Sequence, residues 1–179
     1  MKFLSIVASF IVAAIIALFS IFATDNNKSF AYKVNYNALA PDIKRQVDCL
    51  AENIYFESKG EPKLGQVAVA FVTMNRTYSD LFPKDVCQVV KQKDNKVCQF
   101  SWYCEEKAKA MSISKVLTKS YNPLYNDVRD IAVHVYVHYE KLDDPTKGAL
   151  FFHANYVSPG WKGLEKTATI GNHIFYARR

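Results

Sequence analysis

The stretch Cys49-Leu-Ala-Glu-Asn-Ile-Tyr-Phe-Glu57-Ser-Lys-Gly60-Glu61-Pro62 sets a carboxylate where an apolar helix face should continue, one turn before a glycine break. Upstream, Ile43, Val47, Leu50 and Ile54 recur at spacings of four, three and four, the stripe of a helix packed on a core. Glu57 follows Ile54 by three residues and falls on the same stripe. A carboxyl group held against an apolar face loses hydration, which disfavours its charged form and raises its pKa. That is the condition a general acid needs near neutral pH. The pattern equally fits a helix-terminal Glu that tilts into solvent, and periodicity alone does not choose between the two.

Outward from this stretch the chain reads as mainly α with a small β element, an α+β single domain. Pro41-Asp42 opens a first helix that runs to about Ser58, and Gly60 ends it. Pro62 can occupy the first position of a second helix, which from Leu64 to Met74 is apolar on most sides and is expected at the centre of the domain. A short third helix is expected over Pro83–Gln92, then a polar loop over Lys93–Lys96 and an extended or irregular aromatic segment, Val97–Tyr103. Glu105–Ser120 reads as helical. Another helix begins at Asn122-Pro123, with Leu124, Val128, Ile131, Val135, His138 and Leu142 on one face, and Asp143-Asp-Pro145 ends it. Ala149–His153 and His173–Ala177 are aromatic and strand-like, separated by Gly and Pro.

The balance of 23 basic and 17 acidic residues gives a net charge of +6, but the lysines are scattered and no nucleic-acid motif is present. Attraction to an anionic cell envelope accounts for the charge at least as well, and no nucleic-acid partner is implied. Residues 1–23 contain Lys2 and an uncharged apolar run from Phe3 to Ala23, long enough for a membrane span of ~20 residues and longer than the ~7–15 of a usual cleaved signal. It is either a signal peptide or a retained anchor. Ile21 makes a poor site for cleavage after Ala23, Ser29-Phe-Ala31 lies well beyond the run, and retention is favoured. Residues 24–40 read as a polar tether, and residues 41–179 as the domain. Either way the domain is exported, periplasmic or otherwise extracytoplasmic, with the membrane as a partner through the apolar segment. Cys49, Cys87, Cys98 and Cys104 agree with an oxidising compartment. They allow three pairings, of which Cys98 with Cys104 is favoured for the small loop it closes.

Several blocks also carry a family resemblance. Glu57-Ser-Lys-Gly-Glu-Pro with Gly65-Gln-Val-Ala-Val-Ala and Asn75-Arg76, then Phe82-Pro83 with Val86-Cys87, then Gln99-Phe100-Ser101, and finally Ile170-Gly-Asn-His-Ile-Phe-Tyr176 occur in register. Together they resemble the catalytic domain of SleB-like cell wall hydrolases, the spore cortex-lytic enzyme family, from roughly Asp42 to the C-terminus. The resemblance implies a lysozyme-like fold and cleavage of peptidoglycan glycan strands by one essential Glu, here Glu57, with no cofactor and no metal. The weakly hydrophobic N-terminal run also resembles the signal-arrest-release segments of phage endolysins, which points to host lysis; a bacterial wall-remodelling role is the alternative.

The chemistry divides on the number of carboxylates. Hydrolytic muramidases use two, whereas a lytic transglycosylase needs one. Glu61 is the candidate second acid and a candidate substrate contact, but it could instead cap the helix begun by Pro62. Asp80, Asp85 and Glu105 are remote from Glu57 in sequence and read as surface charges, which favours transglycosylation. Gln99, Phe100 and Ser101 are candidate glycan contacts, with the alternative that Phe100 fills the core; Trp102 and Tyr103 extend that aromatic surface. Tyr156 and Trp161 could form the opposite wall, His173 either lines the cleft or supports it, and Arg76 is read as an anchor. A zinc amidase would need ligands such as His134 and His138, yet the Glu of H-E-x-x-H is missing between them. A Cys-His peptidase would need Cys49 as nucleophile from a helix body. A non-catalytic glycan-binding lysis accessory remains as the reading that makes no use of Glu57.

Overall fold

The structure is a computed structural model and describes residues 34–105 and 123–178. The apolar N-terminal run, the start of the tether and the helix expected over 105–120, apart from Glu105, lie outside the described residues.

Helix α1 spans Pro41–Ser58, with proline in its first turn and Asp42 favourably placed at its positive end. Its apolar stripe is the core of the domain: Val47, Leu50, Ala51 and Ile54 are all fully buried. Helix α2, Lys63–Tyr78, is buried on nearly all sides from Ala68 to Thr77, as its apolar composition requires. It runs past Met74 because its buried polar end finds partners. Thr77 Oγ1 donates to the Met74 carbonyl at 2.7 Å, and Asn75 Nδ2 donates to Asp144 Oδ2 and to the Ala149 carbonyl, each at 3.0 Å.

Helix α3 is shorter than expected, Val86–Val90, and is capped by the Asp85 side chain, which accepts from Gln88 N at 2.9 Å. A Cys49–Cys87 disulfide joins α3 to α1, and Cys98–Cys104 closes the small loop expected for it. Between them a tight hairpin, β1 (Lys93–Asp94) and β2 (Val97–Cys98), turns through Asn95 and Lys96, both at positive φ. A single turn of 3-10 helix, Ser101–Tyr103, follows. Helix α4, Pro123–His138, packs Tyr125, Val128, Ile131, Ala132 and Val135 onto the core. Leu124, expected on that face, is 37% exposed at the helix start.

The tail forms a three-stranded antiparallel sheet: β3 (Phe151–Ala154), β4 (Leu164–Ile170) and β5 (His173–Arg178), in the order β3-β5-β4. β4 is an addition to the sequence reading, an edge strand of mostly polar residues with an irregularity between Lys166 and Ala168. Phe152, Phe175, Ala168 and Ile170 face Ala68 and Val72 of α2 in a second apolar cluster. The folded unit also starts earlier than Pro41. Val34, Tyr36 and Leu39 pack on the core, and the Tyr36 hydroxyl donates to both carboxylate oxygens of Asp48 at 2.8 and 2.9 Å. Residues 34–40 are therefore a packed lead-in to the domain, held by one aromatic and two aliphatic side chains that a polar composition concealed.

Candidate active site

Glu57 occupies the last turn of α1, half-buried, one residue past Phe56, whose ring stacks on Trp102 at 4.5 Å. Burial pushes its carboxyl up to about 7; the charge of Arg76 opposes that rise and the charge of Glu105 adds to it. Of the two readings left open by periodicity, the desolvated one is the one found.

Arg76 sits beside this carboxyl in an unusual setting. Its residue is 4% exposed, Nε donates to the Leu150 carbonyl at 2.8 Å, and the guanidinium lies 4.8 Å from the ring centre of Phe100 and 4.9 Å from that of Phe82. Burial pulls its pKa down to about 10, with the Glu57 charge opposing the fall. Arg76 thus anchors the strand leading into β3, as expected, and in addition places a positive charge near the candidate acid.

The Gln99-Phe100-Ser101 block divides. Phe100 is 2% exposed and is part of the core beneath Arg76, so its ring is not available to stack a sugar; it supports the site from inside. Gln99 and Ser101 on either side of it are exposed. Trp102 is fixed from behind by Asn53, which is fully buried: Trp102 Nε1 donates to Asn53 Oδ1 at 2.9 Å, and Asn53 Nδ2 donates to Thr73 Oγ1 at 3.0 Å. One buried amide thereby ties α1, α2 and the aromatic turn together next to Glu57. Nothing in the local sequence marks Asn53, apart from a polar residue interrupting an apolar helix.

Glu61 and the turn just before His173 meet, though far apart in sequence. Glu61 Oε2 accepts from Asn172 N at 2.8 Å and Oε1 accepts from Asn172 Nδ2 at 3.0 Å. Burial would raise the Glu61 pKa, but these two hydrogen bonds and the nearby His173 hold it below its ordinary value. Glu61 makes no side-chain cap on α2; it clasps the β4–β5 turn instead. His173 is 8% exposed, lies edge-on to Phe152 at 5.1 Å, and has its pKa lowered by burial. Tyr156, in the loop after β3, is 86% exposed, and Trp161 is 44% exposed.

Among the acids read as surface charges, Asp80 pairs with Lys84 at 3.0 Å and Asp85 caps α3 while pairing with Arg45. Glu105 is exposed, in keeping with that reading, and its charge is the smallest of the influences on the Glu57 carboxyl, adding to the rise of its pKa. A buried acid that periodicity did not single out is Glu52, 4% exposed, with Oε2 lacking a hydrogen bond and a carboxyl pushed up to about 7 by burial. His134 and His138 stand with ring centres 5.2 Å apart on α4, and among the described residues no cluster of three or more His, Cys, Asp or Glu could hold a metal ion. All four cysteines are in disulfides, which removes Cys49 as a nucleophile.

A mainly helical α+β domain with a desolvated glutamate ending its first long helix is a protein of the lysozyme-like class. Residues 60–176 match the family model described as Cell Wall Hydrolase, and the chain belongs to that family. The match begins three residues after Glu57. Curated relatives include spore cortex-lytic enzymes of Bacillus cereus, 47% identical over 47 residues, and of Bacillus subtilis, 51% identical over 41 residues. Those segments cover 26% and 23% of this chain and 18% and 13% of the relatives, so the chain spans less than a fifth of the curated relatives it matches. Among solved structures, the catalytic domain of the germination-specific lytic transglycosylase SleB from Bacillus anthracis superposes with a TM-score of 0.51 at 28% identity, over 79% of this chain and 98% of that one. The SleB-like resemblance and the lysozyme-like α+β fold expected from the sequence both stand.

Proposed function

We propose that this protein degrades peptidoglycan by cleaving the bond between N-acetylmuramic acid and N-acetylglucosamine, as a lytic transglycosylase with Glu57 as its single acid and base. The observation that carries this reading is the half-buried carboxyl of Glu57, raised to about 7 and so partly protonated at neutral pH. Glu57 gives its proton to the glycosidic oxygen as the bond to the muramic anomeric carbon breaks. The resulting carboxylate takes the proton of the muramic C6 hydroxyl while that oxygen attacks the same carbon. The product is a 1,6-anhydro ring, Glu57 is protonated again, and no water is consumed. Gln99 and Ser101 supply exposed amide and hydroxyl groups for the glycan. Tyr156 offers an exposed ring, and Glu61 and His173 shape the neighbouring turn.

Glu105 favours a second reading, a hydrolytic muramidase, because its charge is felt at Glu57 and a second carboxylate could activate water. Residues 1–23 are proposed to export the domain and, if retained, to tether it to the inner membrane, a role suited to a phage endolysin. The test is mass spectrometry of fragments released from purified peptidoglycan by the full chain and by Glu57→Gln. Anhydro-muramic ends that vanish in the variant are the expected result. Reducing ends would make the enzyme a hydrolase, and intact strands would end the glycosidase reading.

A further inference from the structure

One face of the C-terminal sheet packs on α2, and the opposite face of an antiparallel sheet is ordinarily polar. Here the register puts Phe151 and His153 of β3 on that outer face with Tyr176 and Arg178 of β5 and Leu164 of β4. His153 stacks on Tyr176 at 5.3 Å, and since the Ala154 carbonyl can only accept, His153 Nδ1 donates to it at 2.9 Å and Nε2 accepts from the Tyr176 hydroxyl at 3.0 Å. Trp161 lies over all three rings, 5.9 Å from Phe151, 5.5 Å from His153 and 5.9 Å from Tyr176, yet remains 44% exposed.

Trp161 and Leu164 line two adjoining hollows. One, of about 220 Å³, is completed by His153, Tyr176 and the Ser158–Gly160 turn. The other, of about 310 Å³, is completed by Phe151, Gly163, Lys162 and Arg178. These are at or below the small end of ligand sites, which run from ~300 to 1,000 Å³, and suit a sugar ring or a short peptide segment. Neither Lys162 nor Arg178 is ion-paired with a carboxylate among the described residues, and both are exposed. The first hollow is aromatic and nearly neutral; the second is aromatic and doubly cationic.

We propose that this outer face is a substrate subsite in which Trp161 and its ring platform stack a sugar of the glycan strand while Lys162 and Arg178 hold the carboxylates of the peptide stem that the strand carries. The inference rests on the peptidoglycan reading above and adds to it a recognition of the acidic peptide. The apolar face of a pyranose buries against an indole without loss of its equatorial hydroxyls to solvent. A guanidinium and an ammonium at the rim supply charge-assisted bonds to carboxylates. Within the platform, the Phe151 ring centre lies 5.9 Å from the Arg76 guanidinium.

The test is calorimetric titration of the full chain, carrying Glu57→Gln so that binding is separated from cleavage. Two probes are used: a peptidoglycan tetrasaccharide bearing its peptide stems, and neutral chitotetraose. Lys162→Glu with Arg178→Glu should weaken the peptide-bearing probe at least tenfold and flatten its salt dependence, leaving chitotetraose unchanged. Trp161→Ala should weaken both. Equal affinity of the double variant and its parent for the peptide-bearing probe overturns the proposal, as does an equal loss for both probes. Parallel digestion of peptidoglycan by the same substitutions on a Glu57 background keeps the two readings apart. Cleavage with unaltered binding sinks the subsite alone, whereas charge-dependent binding without cleavage sinks the glycosidase reading and keeps the subsite.

Discussion

The buried guanidinium of Arg76 and the carboxyl of Glu57 express opposite consequences of the same loss of solvent. Burial lifts Glu57 to about 7 and lowers Arg76 to about 10, and the charge of each partly restrains the shift of the other. An acid catalyst must be protonated in the free enzyme, so kcat/KM should fall about tenfold per pH unit above roughly pH 7. Arg76→Gln removes the restraint and should move that falling limb to higher pH, with circular dichroism checking that the fold survives loss of the bond to Leu150. A limb that stays in place would show that Glu57 is not the titrating acid.

Glu105 acts with the opposite sign. Its negative charge raises the Glu57 pKa, so Glu105→Gln should shift the falling limb to lower pH while leaving kcat at pH 5 within about threefold of the parent, because a transglycosylase has no use for a second carboxylate. A loss of a hundredfold or more at every pH would instead assign Glu105 the base of a hydrolase.

Glu52 predicts a stability effect distinct from activity. Its folded-state pKa, about 7, lies above the ordinary 4.5. Between those values the folded protein binds the proton and the unfolded chain does not, so stability falls as pH rises through this window and stays low above it. One unit is about 1.4 kcal/mol. Glu52→Gln should therefore gain on the order of 3 kcal/mol relative to the parent at pH 8 and little at pH 4, as read from urea denaturation. An equal difference at both pH values would mean that Glu52 is not titrating in the fold.

What was legible in the sequence was local. α1 and α2 were readable because apolar spacing and glycine and proline punctuation are short-range signals, and Glu57 was readable because it fell on the stripe of its own helix. Phe100 was ambiguous for the same reason, since a ring between two polar residues looks alike whether it faces a ligand or the guanidinium of Arg76. β4 was missed because an edge strand needs apolar residues on one face only, and here those are mainly Ala168 and Ile170 beyond an irregularity in register. The approach of Glu105 to Glu57 and the service of Asn53 to Trp102 depend on tertiary folding across about fifty residues, which no periodicity reports.

The two disulfides should differ in weight. In the chain-entropy account the cost of opening a cross-link grows with the loop it closes. Cys49–Cys87 spans 38 residues and Cys98–Cys104 spans 6. Replacing both cysteines of the first pair by serine should therefore destabilise by roughly 4 kcal/mol and the second by roughly 2 kcal/mol, read from denaturant midpoints. The reverse order would mean that strain or residual structure in the unfolded chain dominates.

Gly171 is held to glycine by two separate constraints, and they can be separated by experiment. Its φ is +57°, and a Cβ there would lie 2.0 Å from Glu61 Oε2. Alanine pays roughly 1–2 kcal/mol for the left-handed backbone alone. It would also push the Glu61 carboxylate off Asn172, losing two charge-assisted hydrogen bonds worth together a further ~1–3 kcal/mol at a partly exposed site. Gly171→Ala should thus cost about 3 kcal/mol in the parent. In a Glu61→Ala background the carboxylate is already gone and the same substitution should cost only the backbone part, about 1–2 kcal/mol. The coupling between the two positions, measured in a double-mutant cycle, should be at least 1 kcal/mol. Additive losses would mean that alanine at position 171 does not act through the Glu61 clasp.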